Sequence, residues 1–333
     1  MTASESGSGS RDILTELLAM VPTTPPPAPP PSAPSPGQSR GGWLAEVRSR
    51  RALFDELVPS GPAWIDGSHT RISSASTDII PVEGGDLTVR VYTPIGDGPF
   101  PAVVFFHGGG WWMAGGETNF DLNDGQCRTF CDRLAAVVVN VDYRLAPEAP
   151  YPVQLEDCYR SVEWVRDHAD SLSVDPSNVS VMGTSSGGNE AAAVCLLARE
   201  RGGPPIRCQV LLAPPLDITC SSPSLQELPG LVEQLQGLAA LYAPQDRWTD
   251  PLVSPLLADD LTRLPPAVIV TADFDPLRDD GRRYAERLEQ AGVPVAWSQY
   301  PMMHGVALPE TLALVVSDTS AAMQVWINPG EAP

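Results

Sequence analysis

The sequence predicts an α/β fold: a mostly parallel central sheet flanked by helices. Three observations carry this. Short apolar runs rich in Val and Ile alternate with amphipathic helical patterns, as expected of parallel strands buried on both faces. The 333 residues, 43% of them hydrophobic, suffice for one large core. No internal repeat interrupts the rhythm.

The elements follow in chain order. The opening MTASESGSGSRDILTELLAMV lacks a basic start, and Thr15 and Glu16 break its apolar run, so it does not read as a signal peptide. Ile13, Leu14, Leu17 and Leu18 give enough apolar pattern for a helical turn or two. Residues 22–36, PTTPPPAPPPSAPSP, hold nine of the chain's 36 prolines. Such a run is extended or polyproline II and reads as a tether, which makes residues 1–40 a Pro-rich, flexible N-terminal segment ahead of one domain over 41–333. A helical stretch spans about 43–57, and polar, Ser/Thr-rich sequence then runs to about Asp78. LTVRVYTP (87–94), PAVVFFHG (101–108), AAVVVNVDY (135–143), NVSVMG (178–183), RCQVLLAP (207–214), PAVIVTAD (266–273) and PVAWSQYP (294–301) read as strands. Helical patterns fall at 155–170, 187–201, 277–291 and 309–326. The interval 215–250, with a helix near 229–243, breaks the alternation and reads as an insertion above the strand ends, where such sheets place their chemistry.

A formal net charge of −20 would repel nucleic acid and anionic membranes, so neither is an expected partner. No apolar stretch is long enough to span a bilayer, and no membrane insertion is expected. Six cysteines, at 127, 131, 158, 195, 208 and 220, are scattered without metal-ligand spacing. Reduced, buried thiols in a cytoplasmic protein are the expectation, with no metal and no organic cofactor. A homodimer stays open.

Chemistry concentrates in VMGTSSGGNEAA (181–192). G-x-S-x-G fits in one register only, with Gly183, Ser185 and Gly187, because Thr184 stands where centring on Ser186 would need glycine. A strand before it and a helix after it are the context of a nucleophile elbow, which makes Ser185 the nucleophile and leaves Ser186 to offer its backbone N–H. A plain strand-to-helix turn, or a phosphate-binding one, is the alternative. A serine needs a base. Of His69, His107, His168 and His304, only His304 follows the last strand on a loop able to reach the catalytic edge. Asp273, Asp275, Asp279 and Asp280 are candidates for the acid that orients it. Asp275 sits at a strand exit before Pro276, a position that also suits a helix N-cap. Ser185, Asp275 and His304 follow in the order serine, acid, histidine. Upstream, HGGGWW (107–112) sets three glycines after a strand, so that bare N–H groups can approach a substrate oxygen. Trp111 and Trp112 either wall a pocket or pack in the cap.

With HGGGW (107–111), DYRLAPEAPYP (142–152), GTSSGGN (183–189), DPLVSPL (250–256), DPLRDDG (275–281) and HG (304–305) in one order, the chain resembles the hormone-sensitive lipase-like family of α/β-hydrolases, the bacterial family IV carboxylesterases, over about residues 80–327. The resemblance implies an α/β-hydrolase fold and a triad of Ser185, Asp275 and His304. It implies an oxyanion hole from the amides of Gly109, Gly110 and Ser186 with Gly108 shaping the loop, and a cap from about 41–75 and 215–250. Tyr143 to Glu148 become a structural corner beside the site. Thr184 and Ser186 replace the Asp and Ala of the commoner GDSAGG form. The implied activity is a serine carboxylesterase acting on small short-chain acyl or aryl esters through an acyl-enzyme. An amidase or deacetylase on small amides would use the same residues. Non-catalytic small-molecule receptors that resemble this family lack the histidine base, which is present here as His304.

Overall fold

The computed structural model describes residues 6–21, 29–57 and 65–328. It holds one eight-stranded sheet: β1 (Ile72–Val82), β2 (Gly85–Pro94), β3 (Phe100–Phe106), β4 (Val137–Asp142), β5 (Val174–Thr184), β6 (Gln209–Leu212), β7 (Ala267–Phe274) and β8 (Val295–Met303). The order is β1-β2-β4-β3-β5-β6-β7-β8. β2 runs antiparallel to β1 and β4, and the pairs from β4 onward to β8 are parallel. The helices are α1 (Ser6–Met20), α2 (Arg40–Leu57), α3 (Glu117–Leu134), α4 (Val153–Asp167), α5 (Ala169–Leu172), α6 (Ser186–Arg201), α7 (Pro223–Gln226), α8 (Pro229–Tyr242), α9 (Arg278–Gln290) and α10 (Pro309–Ile327).

Successive strand residues point to opposite faces, and the core divides accordingly. Val104, Phe106, Val139, Val141 and Val181 pack with α4, α6 and α9 on one face. Val103, Phe105, Val138, Met182 and Val210 pack with α3 and α10 on the other. α6 is buried without interruption from Ser186 to Ala198, which is why its sequence is alanine-rich and shows no polar face. All six cysteines are free and buried.

Three elements depart from the sequence expectation. The polar stretch after residue 57 contains β1, an edge strand antiparallel to β2 that buries only Ile80. With almost no buried face it carries no apolar alternation to read. α3 has no counterpart among the expected helices, because its buried side includes Asn119, Gln126 and Thr129 beside Phe120 and Phe130. α1 runs 15 residues instead of a turn or two, with Leu17 fully buried.

Residues 22–28 of the proline tract and 58–64 of the expected cap lie outside the described residues. The later part of the tract rests on α2: the Trp43 Nε1–H donates to the Pro31 carbonyl at 2.8 Å and Arg50 to that of Pro29 at 2.9 Å. No helix among the described residues is long and apolar enough to cross a membrane.

Candidate active site

Ser185 links the end of β5 to the start of α6 at φ 54°, ψ −122°, a left-handed conformation that a serine adopts only when its surroundings enforce it. Glycines make the turn possible. A Cβ on Gly183 would lie 2.0 Å from the Gly187 carbonyl oxygen, and one on Gly187 would lie 2.1 Å from that of Phe106. Strand, helix and the exit of β3 therefore meet backbone to backbone, and the Ser185 hydroxyl projects from the tip. Its own amide donates to the Leu212 carbonyl at 2.8 Å.

His304 stands just beyond β8 and Asp275 just beyond β7, each at the carboxyl end of its strand. The Ser185 hydroxyl lies 2.9 Å from His304 Nε2, and His304 Nδ1 lies 2.8 Å from Asp275 Oδ2. An anionic carboxylate only accepts, so Nδ1 carries the proton and Nε2 is left to accept from the serine. Asp275 is 3% exposed and its other oxygen accepts the Leu277 amide at 2.8 Å, the start of α9. Asp275 is therefore not the N-cap, a place taken by Leu277; one of its oxygens closes the turn before α9 while the other faces the imidazole. Burial disfavours charge on His304, but Asp275 outweighs it and holds the imidazole's pKa above the ordinary 6.5. The ring remains open to solvent on one side, at 37% exposure.

The loop after β3 approaches the serine from across the sheet edge. Gly108 lies against it, since a Cβ there would come 3.3 Å from Ser185 Cβ. Gly109, at φ 122°, and Gly110, at φ 57°, turn the chain, and a Cβ on Gly109 would sit 2.2 Å from the Met113 carbonyl oxygen. Among the described residues, the N–H groups of Gly109 and Gly110 donate to no backbone carbonyl. The Ser186 N–H is one of the unshared donors at the α6 N-terminus.

The supporting contacts explain the remaining motifs. Tyr143 donates to the His107 carbonyl at 2.7 Å and stacks on the His107 ring, centroids 4.2 Å apart. His107 is fully buried, and desolvation drops its pKa to about 4, so it is neutral at the foot of the glycine loop. Arg144 forms a two-pronged pair with buried Asp157 at 2.8 and 2.6 Å. Asn189 donates to the carbonyls of Pro215 and Val253, fastening both ends of the insertion to α6. Asp280, buried in α9, accepts from the amides of Leu216 and Asp217 and from the Ser222 hydroxyl.

Trp111 and Trp112 are both buried. Trp111 stacks on Tyr242 of α8 at 4.6 Å, and Trp112 packs with Trp43 and Val47 of α2 and Leu241 of α8. An apolar cavity lies alongside the Ser185 and His304 turns, walled by Thr184, Leu212, Met303, Gly305, Val306 and Val315 among others; neither tryptophan lines it. His69 and His168 lie in other parts of the chain: the His168 ring donates locally, from Nδ1 to the Trp164 carbonyl.

Two contributors carry no sequence signal. Arg51 of α2 reaches the Trp112 carbonyl at 2.7 Å, the Ala146 carbonyl at 3.0 Å and Glu148 at 3.0 Å. One guanidinium thereby joins α2, the glycine loop and the 143–148 corner. Glu190, one turn beyond the serine, is wholly buried. An arginine in a helix with several others reads as an ordinary surface position, and a single acid names no partner and no role.

A parallel sheet whose carboxyl edge gathers a serine at a strand-to-helix elbow, a histidine and a buried carboxylate has the architecture of the α/β-hydrolase fold. Comparison with known proteins agrees. A family model described as alpha/beta hydrolase fold matches residues 103–308. The carboxylesterase NlhH of Mycobacterium tuberculosis is 42% identical over 247 residues, covering 71% of this chain and 75% of that one. An arylesterase of Saccharolobus solfataricus is 36% identical, over 75% and 79% of the two chains. The structure of a hyperthermophilic esterase from the archaeon Pyrobaculum calidifontis superimposes with a TM-score of 0.74 at 32% identity, over 83% of this chain and 94% of the other. The chain belongs to the hormone-sensitive lipase-like family of α/β-hydrolases.

Proposed function

We propose that the protein is a serine carboxylesterase that hydrolyses short-chain acyl or aryl esters through an acyl-enzyme intermediate. One observation carries the reading: Ser185, His304 and Asp275 form a continuous hydrogen-bonded line, 2.9 Å and then 2.8 Å. His304 Nε2 takes the serine proton as Oγ attacks the ester carbonyl. The imidazolium so formed is stabilised by Asp275 and returns the proton to the leaving alcohol. Water then repeats the sequence on the acyl-enzyme. The amides of Gly109, Gly110 and Ser186 hold the developing oxyanion; removing one oxyanion-hole donor costs about 2.7–4 kcal/mol in a serine hydrolase of another fold.

In this reading the acyl group enters the apolar cavity lined by Thr184 and Met303, which neighbour Ser185 and His304 in the chain. At about 90 Å³ it is smaller than the ~150 Å³ space that takes up benzene in another protein, which suits a chain of a few carbons. α2 and the 215–250 insertion, joined through Trp43, Val47, Trp112 and Leu241, act in this reading as the cap. The names of the relatives, carboxylesterase and arylesterase, and the six free buried thiols, suit an ester hydrolase kept in the cytoplasm.

The test is hydrolysis of nitrophenyl esters of graded length by wild type and Ser185→Ala. The expected result is best turnover with acyl groups of two to about six carbons and near-complete loss in the variant. An unchanged rate in Ser185→Ala would refute the reading.

A further inference from the structure

Glu190 is a buried acid that the triad does not use. It lies on α6, the helix that begins with Ser186, and both its oxygens are without a hydrogen-bond partner at full geometry. Two donors lie within its electrostatic reach: the Tyr242 hydroxyl of α8 and the Trp111 indole N–H of the glycine loop. Each is buried and each lacks any other partner. Three lone polar groups from three elements thus face one another in an otherwise apolar cluster of Trp111, Tyr242, Ala239 and Val253. A coincidence of this kind is costly unless the groups satisfy one another.

The loop they meet needs support. Trp111 at φ 64° and Ala114 at φ 61° are left-handed, as are the two glycines before them, and strained backbone persists only where its surroundings over-determine it. The Trp111 carbonyl is fixed by the Ala146 amide and by Gln154 Nε2, both at 2.8 Å. Its ring is held by the stack on Tyr242. The one polar atom of that ring faces Glu190.

We propose that Glu190 is a positioning residue that ties the two halves of the oxyanion hole together, α6 with Ser186 on one side and the Gly109–Gly110 loop on the other, and locks both to cap helix α8 through Tyr242. The inference rests on the esterase reading given above. The state of the carboxyl then matters. Burial, with Asp157 of α4 adding like charge, lifts its pKa to about 8 against the opposing pull of Tyr242 and Trp111. The titratable groups facing it are Tyr242, Tyr143, Asp157 and Cys158. The tyrosines and the thiol are all pushed upward by burial. Asp157 is paired with Arg144. Among these, Glu190 is the group that changes charge near pH 8, and ionisation there forces an anion into an apolar cluster and loosens the lock.

The test compares wild type, Glu190→Leu and Glu190→Gln on nitrophenyl acetate from pH 6 to 10. Glu190→Leu is expected to lose about ten-fold or more in kcat with KM within two-fold, the pattern of a misplaced oxyanion hole. Glu190→Gln, which can still accept from both donors, should recover most of that loss and abolish the fall in kcat that wild type shows above pH 8. A wild-type kcat in Glu190→Leu, or an alkaline fall that survives in Glu190→Gln, overturns the proposal; if Glu190→Leu does not fold, the Gln profile decides alone. A readout without substrate separates this from failure of the esterase reading. The tryptophan fluorescence of wild type minus that of Trp111→Phe should step near pH 8 and be flat in the Glu190→Gln background, and a flat wild-type difference overturns the coupling whatever the enzyme hydrolyses.

Discussion

Gly187→Ala adds a single methyl group two residues from Ser185, the proposed nucleophile, and the structure fixes what it meets. The new Cβ would stand 2.1 Å from the Phe106 carbonyl oxygen and 2.5 Å from that of His107. Ordinary contact begins near 3.4 Å, so α6 and the exit of β3 must part by about 1.3 Å. Both obstacles are backbone, and no side chain can swing aside. Overpacking of this kind costs about 1–3 kcal/mol of stability, and a displacement near 1 Å costs on the order of 10² in rate. The rate should suffer more than the fold, because α6 carries Ser185 and Ser186 at its start while β3 leads into the glycine loop. The assay is kcat/KM on nitrophenyl acetate together with the thermal midpoint. Gly237→Ala on α8 is the internal control: its Cβ meets nothing within 4 Å, and an alanine in a helix gains about 0.8–1.0 kcal/mol over glycine. If Gly187→Ala kept more than half of the wild-type kcat/KM, the claim that backbone contact at the elbow sets the geometry of the hole would be wrong.

Other outcomes follow from the same contacts. Asp275→Asn should cut kcat by about 10⁴, measured at saturating ester, since an amide no longer dictates the imidazole tautomer. His304 must be neutral to accept the serine proton, and Asp275 raises its pKa above 6.5; kcat/KM should therefore fall as pH drops through that raised value, with an acid limb above the free-imidazole position. A limb at or below 6.5 would show that the carboxylate does not control the ring. Arg51→Ala removes hydrogen bonds to Trp112, Ala146 and Glu148 and should lower stability by about 1.5–3 kcal/mol, read from urea midpoints. For Glu190 the folded pKa, about 8, exceeds the ordinary 4.5. Its stabilising contribution is therefore complete below the unfolded value and lost as pH rises through 8. The thermal midpoint of Glu190→Gln relative to wild type should rise from about pH 5 to about pH 8 and level off above it.

The parallel strands and the serine turn were legible because local rules alone dictate them. A Val-rich run such as Val137–Val141 has one stable use, and Gly183 and Gly187 have no room for any side chain. The order of Ser185, Asp275 and His304 added a constraint from the whole chain, and the structure brings these three side chains together. β1 was illegible because an edge strand that buries only Ile80 has no face to advertise. α3 hid behind buried Asn119, Gln126 and Thr129; Asn119 donates to the Val141 carbonyl of β4 and Thr129 to the Gly125 carbonyl of its own helix, and neither bond shows as an apolar period. Glu190 left one faint trace. It is the single charge between Gly187 and Ala198 in a helix that is otherwise small and apolar, and a lone acid in such a setting is better read as buried than as solvated.

The contact between the proline tract and α2 has an asymmetry of its own. Proline offers a carbonyl but no N–H, so whatever grips such a run must bring the donors, as the Trp43 indole and the Arg50 guanidinium do here. The same α2 places Arg51 on the Trp112 carbonyl. Trimming the chain to residue 40 would therefore strip acceptors from one side of the helix whose other side steadies the glycine loop, so a segment remote from the serine in sequence becomes a lever on turnover.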